Sequence, residues 1–101
     1  MHLEVINRFI EEYEQYRFIF SNDFLSKIHN ECESWKNDWV QVLKKLLRHI
    51  RRGEYSSVLD KKGRLQITNP IVKNQYMTIY FNQQTNGSYY IDNFKIGFIN
   101  I

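Results

Sequence analysis

The chain has 101 residues, of which 43% are hydrophobic and 16% aromatic, with a formal net charge of +3, so it suits one folded domain and not a disordered protein. Its single cysteine excludes a disulfide within the chain, and no apolar run approaches the roughly 18 residues of a membrane span. The acidic N-terminal segment is not typical of a signal peptide, so we expect a cytoplasmic protein.

The first element in chain order is predicted to be an amphipathic helix over residues 2–17. Apolar side chains recur at steps of three and four residues from Ile6 to Phe20, and acidic side chains together with Arg8 fill the opposite side. The next residues, 21–23, read Ser-Asn-Asp, and their side-chain oxygens favour the first turn of a second helix.

A second helical pattern extends from residue 22 to residue 52. Its apolar seam consists of Leu25, Ile28, Cys32, Trp35, Trp39, Val42, Leu46 and His49. We expect both tryptophans in the core and not in an exposed stacking platform. Gly53 follows directly and suits the left-handed conformation that ends many helices.

The length of this second pattern leaves three interpretations open. An unbroken helix over residues 22–52 would measure about 46 Å, whereas a domain of this size has a radius of gyration of only ~13 Å. The helix therefore breaks near Lys36-Asn37-Asp38, or remains whole in a monomer, or pairs with a second chain as a coiled coil.

The remaining segment, about residues 54–99, predicts β-structure. Four strands are expected, at residues 56–59, 64–68, 72–83 and 88–98. The first pair flanks a type I turn at residues 60–63, and the second pair flanks Asn86-Gly87, which is typical of a two-residue hairpin loop. The predicted fold is α+β: two or three N-terminal helices (residues 2–52) packed on a C-terminal antiparallel β-meander of about four strands, in one domain over residues 1–101.

A two-residue loop at Asn86-Gly87 also determines which side chains of the last hairpin share a face. It places Met77, Ile79, Phe81, Tyr90, Phe94 and Ile96 on the core side. It places Tyr76, Thr78, Tyr80, Asn82, Tyr89, Ile91, Asn93 and Lys95 on the other side. Asp92 then falls on the core side, where it needs a partner or a β-bulge, and a different register of the loop would also explain its position.

Few patterns in the sequence indicate catalysis or a metal site. His29 and Cys32 are three residues apart, but no second pair of ligands follows at a spacing typical of zinc sites, so we expect no metal and no cofactor. His49 lies among arginines that could attract a phosphate, as in a small ribonuclease. Because no phosphate-binding loop or nucleophile motif is present, we expect no catalytic activity, and a ribonuclease is the enzyme alternative.

Charge is distributed unevenly along the chain and predicts one candidate binding surface. Residues 1–43 carry eight acidic and four basic side chains, and residues 44–101 carry three acidic and ten basic ones. Five of the basic side chains lie on one side of the second helical pattern and form what we call the basic ridge: Lys44, Lys45, Arg48, Arg51 and Arg52. Cations also stabilise the C-terminal end of a helix, so a purely structural role remains the alternative.

The polar face of the last hairpin is the second candidate surface. Its proposed contact residues are Tyr76, Tyr80, Asn82, Tyr89 and Asn93. Tyrosines are favoured at protein interfaces, although a solvated or helix-covered face would have a similar composition.

These features predict a small non-catalytic protein-binding module of the immunity, antitoxin or inhibitor type. It would neutralise a specific protein, such as a toxin or an enzyme, by occluding its surface, as a monomer or homodimer and without a membrane. The alternative is a nucleic-acid-binding protein or a small ribonuclease that uses residues 44–52, and a coiled-coil structural subunit is a third possibility. The sequence leaves open whether the acidic or the basic part contacts the partner.

Overall fold

The computed structural model describes residues 3–72 and 74–99, with the backbone alone at Cys32. Within these residues the chain forms three α-helices, a short 3₁₀ turn and four strands. The elements are α1 (Leu3–Glu14), β1 (Phe18–Phe20), α2 (Asn22–Glu31), the 3₁₀ turn (Cys32–Ser34), α3 (Asn37–Arg51), β2 (Leu65–Pro70), β3 (Gln75–Gln83) and β4 (Tyr89–Phe98). The predicted α+β class, with helices first and strands last, is confirmed.

The four strands form a mixed sheet with the order β1-β4-β3-β2. Strands β2, β3 and β4 form the predicted antiparallel meander, but β1 is parallel to β4, so the expectation of a purely antiparallel sheet is wrong. Sequence reasoning missed β1 because Phe20 also fits the helical period of α1. The helix instead ends at Glu14, and Arg17 adopts a left-handed φ of 68° that redirects the chain into the strand.

The predicted break in the second helical pattern is confirmed. The Ser21 hydroxyl accepts a hydrogen bond from the Phe24 N–H at 2.9 Å and caps α2, which ends at Glu31. The extended residue Lys36 precedes α3, so an unbroken helix over 22–52 is excluded, and with it the continuous seam of a coiled coil. At the other end, Gly53 has a φ of 72° and closes α3 as expected.

The break also changes which side of α3 is buried. The buried residues are Val40, Leu43, Leu46, Leu47 and Ile50. Trp39, Val42 and His49, which the continuous seam placed in the core, are half-buried at its edge. Trp35, before the break, is buried as predicted and packs edge-on against Phe94.

The strand predicted at residues 56–59 does not form. Val58 is 70% exposed and Leu59 is 57% exposed, and in the described chain no strand pairs with this segment. The turn that follows is present, since the Gly63 N–H donates to the Asp60 carbonyl at 3.0 Å. The segment is therefore a connection from α3 to the edge strand β2.

The β3–β4 hairpin differs from its prediction by two shifts that cancel. Its loop has three residues, since the Gln84 N–H donates to the Ser88 carbonyl at 2.7 Å and Gly87 has a φ of 86°. The register then shifts once more between Tyr80 and Phe81, where Asp92 is the extra residue of a β-bulge. Pairing from Gln75 to Tyr80 of β3 is as predicted. On β4, the residues between the loop and the bulge, Tyr89, Tyr90 and Ile91, lie on the side opposite to the predicted one.

The helices cover one face of the sheet. Phe24 of α2 and Trp35 both pack against Phe94, with ring centroids 5.5 Å and 5.4 Å apart. Ile79 and Phe81 are fully buried on the same side, in agreement with the predicted core face. This arrangement leaves the opposite face of the sheet without a helix in the described part of the chain.

Candidate partner-binding surfaces

A cleft of about 670 Å³ lies between α1 and α3 and contains most of the basic ridge. Its α1 side, with the turn that follows, consists of Phe9, Glu12, Tyr13 and Tyr16. Its α3 side consists of Lys44, Arg48, Arg51 and Arg52. The fold thus brings four of the five predicted ridge residues together, and Lys45 is exposed outside the cleft lining.

Three cations of the cleft have no carboxylate partner. Among residues 3–72 and 74–99, no ion pair within 4 Å involves Lys44, Arg48 or Arg51. Arg52 lies 3.9 Å from Glu54, and both side chains are well exposed, so solvent screens this pair strongly. The cleft therefore keeps a net positive charge.

Aromatic rings of α1 and the turn after it hold two of these cations in place. The guanidinium carbon of Arg51 lies 3.5 Å from the centre of the Tyr16 ring, and Lys44 Nζ lies 5.7 Å from the Phe9 ring. Cation–π contacts of this kind contribute about 0.5–1 kcal/mol at exposed sites and leave the charge intact. Burial raises the pKa of Tyr13, which the charge of Arg48 opposes, so this phenol stays neutral and does not cancel the cations.

His49 does not belong to the cleft. Its Nδ1 lies 3.7 Å from Glu54 Oε1, at the end of α3. His49 is therefore not among the residues that line the cleft, although it shares Glu54 with the ridge residue Arg52.

The second surface, which we call the open face, is the side of the sheet opposite the helices. The register assigns to it Ile19, Gln66, Thr68, Tyr76, Thr78, Tyr80, Asn82, Tyr90, Asn93 and Lys95. Four of the five predicted contact residues are therefore present. The fifth, Tyr89, was placed wrongly: the bulge turns it to the core side, where its ring centroid lies 5.3 Å from that of Phe18.

Two tyrosines of the open face are held by their neighbours. Tyr76 lies across Gly97, so closely that a Cβ atom there would overlap the ring at Cζ. Tyr80 lies beneath Arg64, whose guanidinium carbon is 4.1 Å from the ring centre. The Tyr76 ring thus packs directly on the backbone at Gly97, which has no side chain, and the Tyr80 ring is held against the sheet by the stacked Arg64 cation.

Arg64 is itself held by two carboxylates. Its Nε donates to Asp60 Oδ2 at 3.1 Å, and its Nη1 donates to Asp92 Oδ2 at 2.9 Å. Burial lowers the pKa of Arg64, but the hydrogen bonds that it donates to Asp92 and Asp60 outweigh burial and raise the pKa overall. The awkward position predicted for Asp92 is resolved by both means considered, a bulge and a partner.

The bulge is also tied to the helical layer. The Ser21 hydroxyl, which caps α2, donates to the carbonyl of Asp92. Sequence reasoning missed the consequences of this bulge, namely that Tyr90 and not Tyr89 belongs to the open face and that Ile19, 49% exposed, lies beside it. The misplaced Asp92 was the signal that could have revealed the shift.

Comparisons with known proteins identify no relative: no family model, curated protein or solved structure matches the chain. Among the described helices, none is both long and apolar enough to cross a bilayer. Within the described residues, no three His, Cys, Asp or Glu side chains are grouped to share a metal ion. The Cys32 side chain lies outside that description, and His29 Nε2 is 3.2 Å from Asn7 Oδ1.

Proposed function

We propose that the protein is a small non-catalytic binding module of the immunity, antitoxin or inhibitor type, which neutralises a partner protein by covering the partner with its open face. The observation that carries this proposal is a helix-free sheet face whose tyrosines Tyr76 and Tyr80 are already fixed. Tyrosine supplies apolar contact area together with a hydroxyl group for hydrogen bonding, and it is enriched at protein interfaces.

Fixed side chains reduce the entropic cost of association. Immobilising a mobile side chain at an interface costs about 0.5–1.5 kcal/mol. Because Tyr76 is seated on Gly97 and Tyr80 is stacked under Arg64, binding would order them little further. Neighbouring amides, such as Asn82, would supply hydrogen bonds around these rings.

The dimensions of the open face also suit a protein partner. The nine residues of β3 extend over about 30 Å, and neighbouring strands are about 4.8 Å apart. With its projecting side chains, such a surface approaches the ~800 Å² that each partner buries in a standard interface.

A charge introduced on the open face tests the proposal. The protein should be co-expressed with the product of the neighbouring gene, and the complex recovered on a tag should be measured. We expect Asn82→Arg to abolish recovery, because it adds a bulky cation on the open face beside Tyr80 and opposite Tyr90. Asn30→Arg, a matched exchange at an exposed position of α2, should leave recovery unchanged.

Circular dichroism and thermal melting would verify that both variants fold. Equal recovery of the partner by Asn82→Arg and wild type would reject the open face as the contact surface. If the wild-type protein recovers no protein from the co-expression or from its native cells, the binding-module proposal itself fails.

Nucleic-acid binding, with or without ribonuclease activity, is the second candidate. The observation that favours it is the cleft, where Lys44, Arg48 and Arg51 lack carboxylate partners. If these cations bind phosphates, affinity for RNA or DNA must fall steeply as salt increases. Lack of binding at low salt would eliminate this candidate, and RNA cleavage that survives replacement of His49 would exclude a ribonuclease that depends on this histidine.

A further inference from the structure

The cleft between α1 and α3 belongs to the helical layer, whereas the open face is on the other side of the sheet. A flat partner surface that covers the open face would not reach Arg48 or Arg51. The positive charge in the cleft therefore needs an explanation of its own, since a concave surface lined by one sign of charge concentrates the electrostatic potential.

The rings in the cleft are packed against their neighbours and do not form an open platform for nucleobases. Tyr13 makes edge-on contacts with Phe9, Tyr16 and Phe18. Arg51 already covers the face of Tyr16 at 3.5 Å, and Phe9 is only 5% exposed. Stacking is the main sequence-independent contribution to the binding of single-stranded nucleic acids apart from charge. Recognition in this cleft must instead come from the cations, whose natural ligands are carboxylates or phosphates.

The surroundings of the cations favour a carboxylate ligand of limited length. From Lys44 to Arg51 the α3 helix rises about 10 Å, which is too short to follow a long phosphate backbone. Glu12 lines the same cleft, and Glu11 and Glu14 are exposed on the same helix. A long polyanion would be repelled by these glutamates, which all lie on α1 beside the ridge.

Glu12, which is exposed at the edge of the cleft, can also accept hydrogen bonds from an occupant. A peptide supplies backbone N–H groups for Glu12 together with side-chain carboxylates for Arg48 and Arg51. The phosphodiester backbone of DNA has acceptors but no donors, and the RNA backbone adds only the 2′-hydroxyl group as a donor. An acidic peptide segment therefore complements both signs of charge in the cleft.

We propose that this cleft is a second binding site, independent of the open face, which receives a short segment of a protein carrying two or three aspartate or glutamate side chains. The segment lies along α3, with its carboxylates on Lys44, Arg48 and Arg51 and its backbone N–H groups toward Glu12.

Fluorescence anisotropy with the full-length protein tests this site. The probes are a labelled 12-residue peptide of alternating glutamate and glycine, a lysine–glycine peptide of the same length and a 12-nucleotide single-stranded RNA. At low salt we expect the acidic peptide to bind more tightly than either control. Arg48→Glu/Arg51→Glu should weaken that binding about tenfold or more, because two attractive charge pairs become repulsive.

Lys61→Glu/Lys62→Glu is the matched control, since it changes the net charge equally in the exposed turn before β2. It should weaken binding less than about twofold. Arg48→Lys/Arg51→Lys should weaken binding less than the glutamate exchange, because the charges remain although the stacking of Arg51 on Tyr16 is lost. The proposal is overturned if the acidic peptide does not bind, if both glutamate double variants weaken it equally, or if the RNA binds more tightly. None of these outcomes affects the test of the open face with Asn82→Arg.

Discussion

Arg51 in the cleft and Arg64 on the open face are both stacked on a tyrosine ring, at 3.5 Å and 4.1 Å, yet their charges have opposite fates. Two carboxylates, Asp60 and Asp92, hold Arg64 within the fold. No carboxylate among the described residues lies within 4 Å of Arg51. Arg64, whose charge is paired, stabilises the open face, whereas the unpaired charge of Arg51 in a concave site remains available for a ligand.

Exchanging each arginine for alanine is the most direct way to break this comparison. We expect Arg64→Ala to lower the free energy of unfolding by about 1–2 kcal/mol, since it removes two charged hydrogen bonds and leaves Asp92 without its partner. Arg51→Ala should cost less than about 1 kcal/mol, because it loses one cation–π contact. Urea denaturation measures both values.

The two arginines also predict opposite effects on binding. Arg51→Ala should lower the affinity of the cleft for the acidic peptide while the free energy of unfolding is nearly preserved. Arg64→Ala should leave this affinity unchanged. Equal losses of stability in the two variants would show that the cleft cations contribute to the fold as much as the paired arginine does.

A smaller effect is expected at Gly97, on which the Tyr76 ring packs, whereas Tyr80 is held by the stacked Arg64. Gly97→Ala forces the Tyr76 ring off the strand, and we expect a loss of about 1 kcal/mol because the ring gives up its packing. In a Tyr76→Ala background the same substitution should be neutral or slightly stabilising, because alanine restricts the unfolded chain more than glycine does. Chemical denaturation of the four proteins in this cycle provides the coupling energy, and additive effects would show that the ring is not fixed by the glycine.

Local signals in the sequence predicted much of the helical layer. Ser21 caps a helix through its own hydroxyl, and Gly53 ends one through its own φ angle, so both are visible in a short window. Strand β1 was not visible, because three residues that pair with distant β4 carry too little local pattern to outweigh the helical period. Val58 fits a strand locally but has no strand beside it.

The candidate sites also differ in whether local sequence or tertiary packing determines them. The ridge residue Arg48 was predictable because helical spacing alone places it beside Lys44 and Arg51. That Tyr13 and Tyr16 would face this ridge depends on how α1 packs on α3, which no local pattern encodes. On the sheet, one extra residue at Asp92 reversed the sides of Tyr89, Tyr90 and Ile91, while the register from Gln75 to Tyr80 remained correct.

The smallest expected effect concerns the pH dependence of the paired arginine site. The backbone N–H of Arg64, and then its side chain, lower the pKa of Asp60 from its ordinary value of 3.8. A carboxyl with a lowered pKa stabilises the fold above its unfolded value and loses that contribution as the pH falls through its folded value. Asp60→Asn should therefore be less stable than wild type at neutral pH, and the gap should close in acid.

Urea denaturation of wild type and Asp60→Asn from about pH 6 to about pH 2.5 checks this prediction. In an Arg64→Ala background the gap should be smaller at neutral pH but not absent, because the backbone N–H of residue 64 still donates to Asp60. A gap that stays constant across the whole range would mean that the charge of Asp60 does not stabilise the turn. Arg64 would then be held mainly by Asp92, and the contrast with Arg51 would depend on a single ion pair between the residue before β2 and a residue of β4.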